Sequence, residues 1–160
     1  TPAYPFYISS VDNGNMLACL IVAKQFIVKN SLYGIDIVSR LIDSINLDEL
    51  LDKNKNLFHI GYNVRTGCFD NYYDLMASEA RILYYLYAAF YQNTTPWDNL
   101  SRDCVGFGGN TLVSWSGTMF EYLLPNIFIR APKNSLLYQT ENNVVRLAIK
   151  NKCNNMWGIS

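Results

Sequence analysis

The sequence predicts an all-α domain, and three observations lead there. Apolar residues recur at helical spacing in several long stretches, clusters of Gly, Pro and Asn separate those stretches, and only Leu57 to Gly67 reads as extended. Asp12 is placed as the N-cap of a helix running to about Val28, with Leu17, Leu20, Ile21 and Val28 on its apolar side. Ile35 to Ile45 repeats the 3.6-residue period through Val38, Leu41 and Ile42, and a helical turn over Leu47 to Leu51 follows. Tyr72 to Tyr91 is the strongest expected helix, rich in Tyr and nearly uncharged after Arg81. Asn93 to Asn110, with Pro96 and three glycines, reads as loop. Leu112 to Pro125 reads as a short helix stopped by the proline. A last helix is expected from about Ser135 to Lys150. The expected packing is antiparallel helix pairs forming an arc.

Composition narrows the function. At 160 residues the chain suits one domain with a real core, and no repeat or long linker divides it. Half the residues are hydrophobic, 14% are aromatic and only 16% are charged, which excludes a disordered chain. Thirteen basic residues balance thirteen acidic ones without a basic run, so neither nucleic acid nor an anionic membrane surface is the expected partner. Cys19, Cys68, Cys104 and Cys153 form no CxxC pair, and His59 is the single histidine. A metal centre and Ser-His or Cys-His catalysis are therefore not expected, nor is a cofactor. Lys24 and Gln25 interrupt the apolar stretch from Met16 to Val28, so membrane contact by this segment is not expected either.

Carboxylates in aromatic settings carry the chemistry. Ser114, Thr118 and Glu121 fall at i, i+4, i+7 of the expected helix beside Trp115. The apolar neighbours Met119, Phe120 and Tyr122 predict a Glu121 pKa raised by burial, which suits a general acid. A buried Glu paired with a distant Arg or Lys is the plainer alternative. Asp74, Ser78 and Arg81 share a face at the same spacing, with Glu79 about 100° away. They read either as a charge cluster at a helix start or as a carboxylate that Arg81 holds ionised beside a ligand cavity. Asp12 and Asn13 read as cap chemistry that could also bond a sugar. Gly106-Phe107-Gly108-Gly109 lacks the spacing of a phosphate loop, and His59 reads as a packing residue.

Five separated blocks together resemble a family: Tyr7 to Asn15, Leu57 to Tyr62, Tyr72 to Arg81, Ser114 to Pro125 and Trp157 to Ser160. In this order they are similar to the glucoamylase-like central domain of cyclic β-1,2-glucan synthases, which is related to bacterial endo-β-1,2-glucanases. The resemblance implies an (α/α)6 toroid, about half of it present within residues 1–160, acting on β-1,2-glucan by cleavage or transfer. It implies Glu121, Glu79 and Asp74 as candidate catalytic residues, with a second carboxylate beyond Ser160 also open. It implies Asp12, Asn13, Tyr73, Arg81, Trp115 and Trp157 as substrate-binding residues, the aromatic ones stacking on sugar rings. The expected partners are an oligo- or polysaccharide and the remainder of a parent polypeptide. The expected location is the cytoplasm, with an inner-membrane anchor elsewhere in a bacterial parent left open. A non-catalytic carbohydrate-binding or structural piece is the alternative function.

Overall fold

The computed structural model describes residues 6–151 and Met156. It corrects the all-α expectation: the fold is mixed, with helices packed around three small antiparallel sheets, so no half of an (α/α)6 toroid is formed. Strand β1 (Tyr7–Ser9) runs directly into helix α1 (Ser10–Lys29). Ser9, not Asp12, is the cap, because its hydroxyl oxygen accepts from the Asp12 amide at 3.2 Å while Asp12 already lies in the first turn. After a turn through Gly34 (φ 101°), α2 (Ile35–Asp43) folds back against α1. A 3-10 turn over Leu47–Leu50 follows, its first amides capped by the Asn46 side chain.

Two three-stranded sheets come next. β1, β4 (Gly61–Asn63) and β5 (Cys68–Phe69) form one; β2 (Leu51–Asp52), β3 (Leu57–His59) and β6 (Tyr72–Tyr73) form the other. Their hairpins close through side chains: the Asp52 carboxylate accepts from the amides of Asn54 and Lys55, and the Asn63 carbonyl oxygen from those of Arg65 and Thr66. Tyr72 to Ala80 is therefore not helical. Tyr73 pairs with Phe58 and Tyr72 with His59, the Met76 amide bonds the Ser101 carbonyl, and the Ser101 amide bonds the Asp74 carbonyl. Helix α3 begins only at Arg81 and ends at Tyr91.

The expected loop from Asn93 contains the single turn α4 (Thr95–Asp98) and the hairpin β7 (Cys104–Gly106) with β8 (Asn110–Leu112). Instead of a helix from Leu112, the chain leaves β8 through an irregular segment. It turns helical only at α5 (Met119–Leu123), before a 3-10 turn over Leu124–Ile127 and the last helix, α6 (Leu136–Lys150).

The core lies where α1, α3 and the second sheet meet. Phe58, fully buried, sits edge-on to Tyr84 and Tyr87 at 5.0 and 5.3 Å. The Phe58 amide donates to the Tyr84 hydroxyl, which donates to the Tyr73 carbonyl, so α3 and the sheet are tied by a polar bond inside apolar packing. Gly14 lets α1 approach α3: a Cβ there would lie 2.8 Å from that of Leu83. A second packing unit joins α6 to β8, with the Thr140 hydroxyl accepting from the buried Leu112 amide. By length and apolar composition α1 is the one helix among the described residues long and apolar enough to cross a membrane, even with Lys24 and Gln25 in it. Here Val11, Gly14, Leu17 and Ala18 are buried while Val22, Phe26 and Val28 remain exposed. Cys19, Cys68 and Cys104 are exposed free thiols, and Cys153 lies outside the described residues.

Candidate functional site

Glu121 is held by the segment that precedes it. Thr118 is the N-cap of α5 and Glu121 its third residue, and the two close a capping box: the Thr118 hydroxyl oxygen accepts from the Glu121 amide, and the Glu121 carboxylate accepts from the Thr118 amide. The same carboxylate accepts from the Ser114 hydroxyl at 2.9 Å, the Ser116 hydroxyl at 3.0 Å and the Ser116 amide. It is 7% exposed. Burial pushes its pKa up, but the hydrogen bonds from Ser114, Thr118 and Ser116 together outweigh burial, and the net shift is downward. The expectation of a raised Glu121 pKa is thus reversed: polar groups from Ser114, Ser116 and Thr118 fold over the carboxylate, while Phe120 points to solvent.

Glu79 has the opposite environment. Burial raises its pKa and outweighs the pull of its own amide; the charge of Glu121 adds a smaller rise, and the Tyr73 hydroxyl a smaller pull downward. That hydroxyl reaches Glu79 at 3.4 Å. Tyr73 is itself shifted upward, first by burial, then by Glu79, and also by Asp12 and Glu121. Four expected site residues (Asp12, Tyr73, Glu79 and Glu121) therefore share one electrostatic neighbourhood, brought together from α1, β6, the turn before α3, and α5. Trp115, 54% exposed, sits in the segment that wraps Glu121.

The other expected residues divide. Asp74 lies next to this neighbourhood in sequence, its main chain tied to Ser101; its buried Oδ1 makes no hydrogen bond among the described residues, and its charge helps raise the buried Tyr84. Arg81 does not pair with the carboxylate of Asp74 or Glu79. It is 4% exposed and donates to Glu141 of α6 at 3.0 Å, with Asn126 and the Tyr122 carbonyl nearby, so it joins α3 to α6. Ser78 instead accepts from the Ala80 amide. Asn13 donates to the Ser9 carbonyl at 2.7 Å and lines a separate groove against α1. His59 is stacked between Phe69 and Tyr72, with Nδ1 against the Asp70 carbonyl. Trp157 lies outside the described residues. Ser116 and Glu141 were not expected. The Thr-x-x-Glu spacing signals the cradle that includes Ser116, whereas nothing local in the sequence singles out Glu141 as Arg81's partner.

Two carboxyls pushed in opposite directions, one of them bonded by the Tyr73 hydroxyl, make an arrangement suited to acid–base chemistry. No family model matches the chain. It is related to the cyclic beta-(1,2)-glucan synthase NdvB of Rhizobium meliloti (strain 1021), with 38% identity over 122 residues covering 73% of this chain. The chain spans 4% of that protein's length.

Proposed function

We propose that this chain forms part of a catalytic unit that cleaves or transfers β-1,2-linked glucan within a larger polypeptide. The relation to a glucan synthase supports the substrate class. The observation that carries the chemistry is the divergence of Glu79 and Glu121: the carboxyl whose pKa is raised suits proton donation to a leaving glycosidic oxygen, and the one held ionised suits the base, nucleophile or charge-stabilising role. These roles exchange the order expected from sequence, in which Glu121 came first as acid. Tyr73, bonded to Glu79, orients the acid, and Trp115 offers a stacking face. The test is turnover of linear β-1,2-glucan by the polypeptide carrying this chain. Glu79→Gln and Glu121→Gln should each lower kcat by at least ~100-fold. Wild-type rates in both variants would refute the assignment. The small share of the relative that the chain spans favours a second reading, a saccharide-binding or structural portion of such an enzyme, and that reading predicts bound glucan with unchanged turnover in both variants.

A further inference from the structure

A groove of about 660 Å3 opens on the side of α1 that carries Asn13. Its floor comes from the first sheet. Ile8 on β1 pairs with Tyr62 on β4, and Tyr62 with Phe69 on β5, so one side chain per strand forms a row on a single face. The Tyr62 and Phe69 rings lie 4.9 Å apart. The walls are Asn13 and Met16 of α1 and the 3-10 turn that carries Glu49.

Three features decide what fits. The volume falls within the ~300–1,000 Å3 of small-molecule sites and exceeds the needs of one sugar ring. Glu49 is the one charged side chain among the described residues lining it, which disfavours phosphorylated or otherwise anionic ligands. Around the apolar floor, the Tyr62 hydroxyl, Asn13 Oδ1 and Glu49 Oε2 make no hydrogen bond to the described residues, while Asn46 holds Glu49 Oε1 at 3.0 Å and so fixes the carboxylate. An aromatic floor rimmed by fixed acceptors and a hydroxyl suits the faces and edges of pyranose rings.

We propose that this groove, separate from the Glu79–Glu121 centre, binds two or more residues of a neutral oligosaccharide. The identity of the saccharide as β-1,2-glucan rests on the function proposed above.

Calorimetric titration of the full chain with linear β-1,2-linked glucopentaose, and in parallel with maltopentaose, tests both layers. Tyr62→Phe and Glu49→Ala remove single polar groups at a partly buried and an exposed position, so a retained thermal unfolding profile shows that the fold is intact. Binding of the β-1,2 pentamer should weaken about fivefold in Tyr62→Phe and about tenfold in Glu49→Ala. Wild-type affinity for the pentamer in both variants overturns the groove assignment and leaves the proposed function standing. Loss of maltopentaose binding in the same variants, with no β-1,2 pentamer binding in the wild type, supports the groove and overturns the proposed substrate. Binding of neither sugar overturns both.

Discussion

Replacing Arg81 with methionine removes the cation from a pair that is almost wholly inside the protein, 4% exposed on one side and 8% on the other. At the observed 3.0 Å, the attraction at an effective dielectric of 20 is about 5–6 kcal/mol. Most of that is offset by the cost of taking both ions out of water. The intact pair is thus near neutral for stability, whereas Glu141 left alone is a buried charge without its counter-ion. Arg81→Met should therefore cost about 3–5 kcal/mol in urea unfolding, a large fraction of the ~5–15 kcal/mol that holds a domain of this size. The double variant Arg81→Met, Glu141→Leu should return to within about 1 kcal/mol of wild type, because α3 and α6 then meet through apolar side chains. The assay is a double-mutant cycle by equilibrium denaturation at neutral pH. A loss below about 1 kcal/mol in Arg81→Met, or a double variant no more stable than the single one, would refute the view that Arg81 serves the α3–α6 junction.

Glu79→Gln should raise the melting temperature at pH 8 and leave it unchanged near pH 4. A carboxyl whose folded pKa lies above its unfolded value binds more protons when folded, so its ionisation costs stability as pH rises through that interval. Ser114→Ala should cost about 1–3 kcal/mol at neutral pH, because it removes one donor to the ionised Glu121. That cost should fade as pH falls through the depressed pKa of Glu121, where the bonds to the carboxylate lose their contribution; a pH-independent cost would count against it. Gly14→Ala should cost about 1–3 kcal/mol by overpacking α1 against Leu83, read by chemical denaturation. Trp115→Ala should keep stability within about 0.5 kcal/mol while raising KM for β-1,2-glucan, and an unchanged KM would remove Trp115 from the substrate path.

Helices with long apolar periods were readable: α1, α2 and α6 end within one or two residues of their expected bounds. Among the strands, β3 and β4 fall in the expected extended segment Leu57 to Gly67, but the others were not readable, because each is only two or three residues long and shows at most one step of alternation. Tyr72 to Ala80 shows why. Its apolar and polar residues fit a 3.6-residue stripe, yet the backbone of Tyr72 and Tyr73 is claimed by β3 and that of Asp74 and Met76 by Ser101, partners that lie 13 and more residues away in the chain. Adjacent tyrosines favour a pleated, half-buried strand, and this local signal pointed the right way against the stronger periodic one.

The candidate site was legible only in part: four of the expected residues share one neighbourhood, while Arg81 pairs with Glu141 and Asn13 lines another groove. Asp12, Tyr73, Glu79 and Glu121 converge because their blocks carry unusual polar residues in apolar company, and that is visible in one dimension. Which carboxyl keeps its proton depends on who donates to it. For Glu121 the sequence neighbours Phe120 and Tyr122 suggested an apolar pocket, but in a helical turn adjacent residues point about 100° apart and do not define each other's surroundings. The residues that matter stand three, five and seven positions earlier, and Thr118 at the cap position turns them toward the carboxylate. Thr-x-x-Glu before an apolar turn already implies an acceptor-only carboxylate at a helix N-terminus, an environment that favours ionisation. Glu79 has no such cap of donors; its burial and its proximity to an already ionised Glu121 come from tertiary packing of α5 near the turn before α3. The donors that pull the Glu121 pKa down favour its ionised form, whose charge adds to the rise at Glu79, so the Ser114–Thr118 segment helps push the two carboxyls in opposite directions without supplying either one.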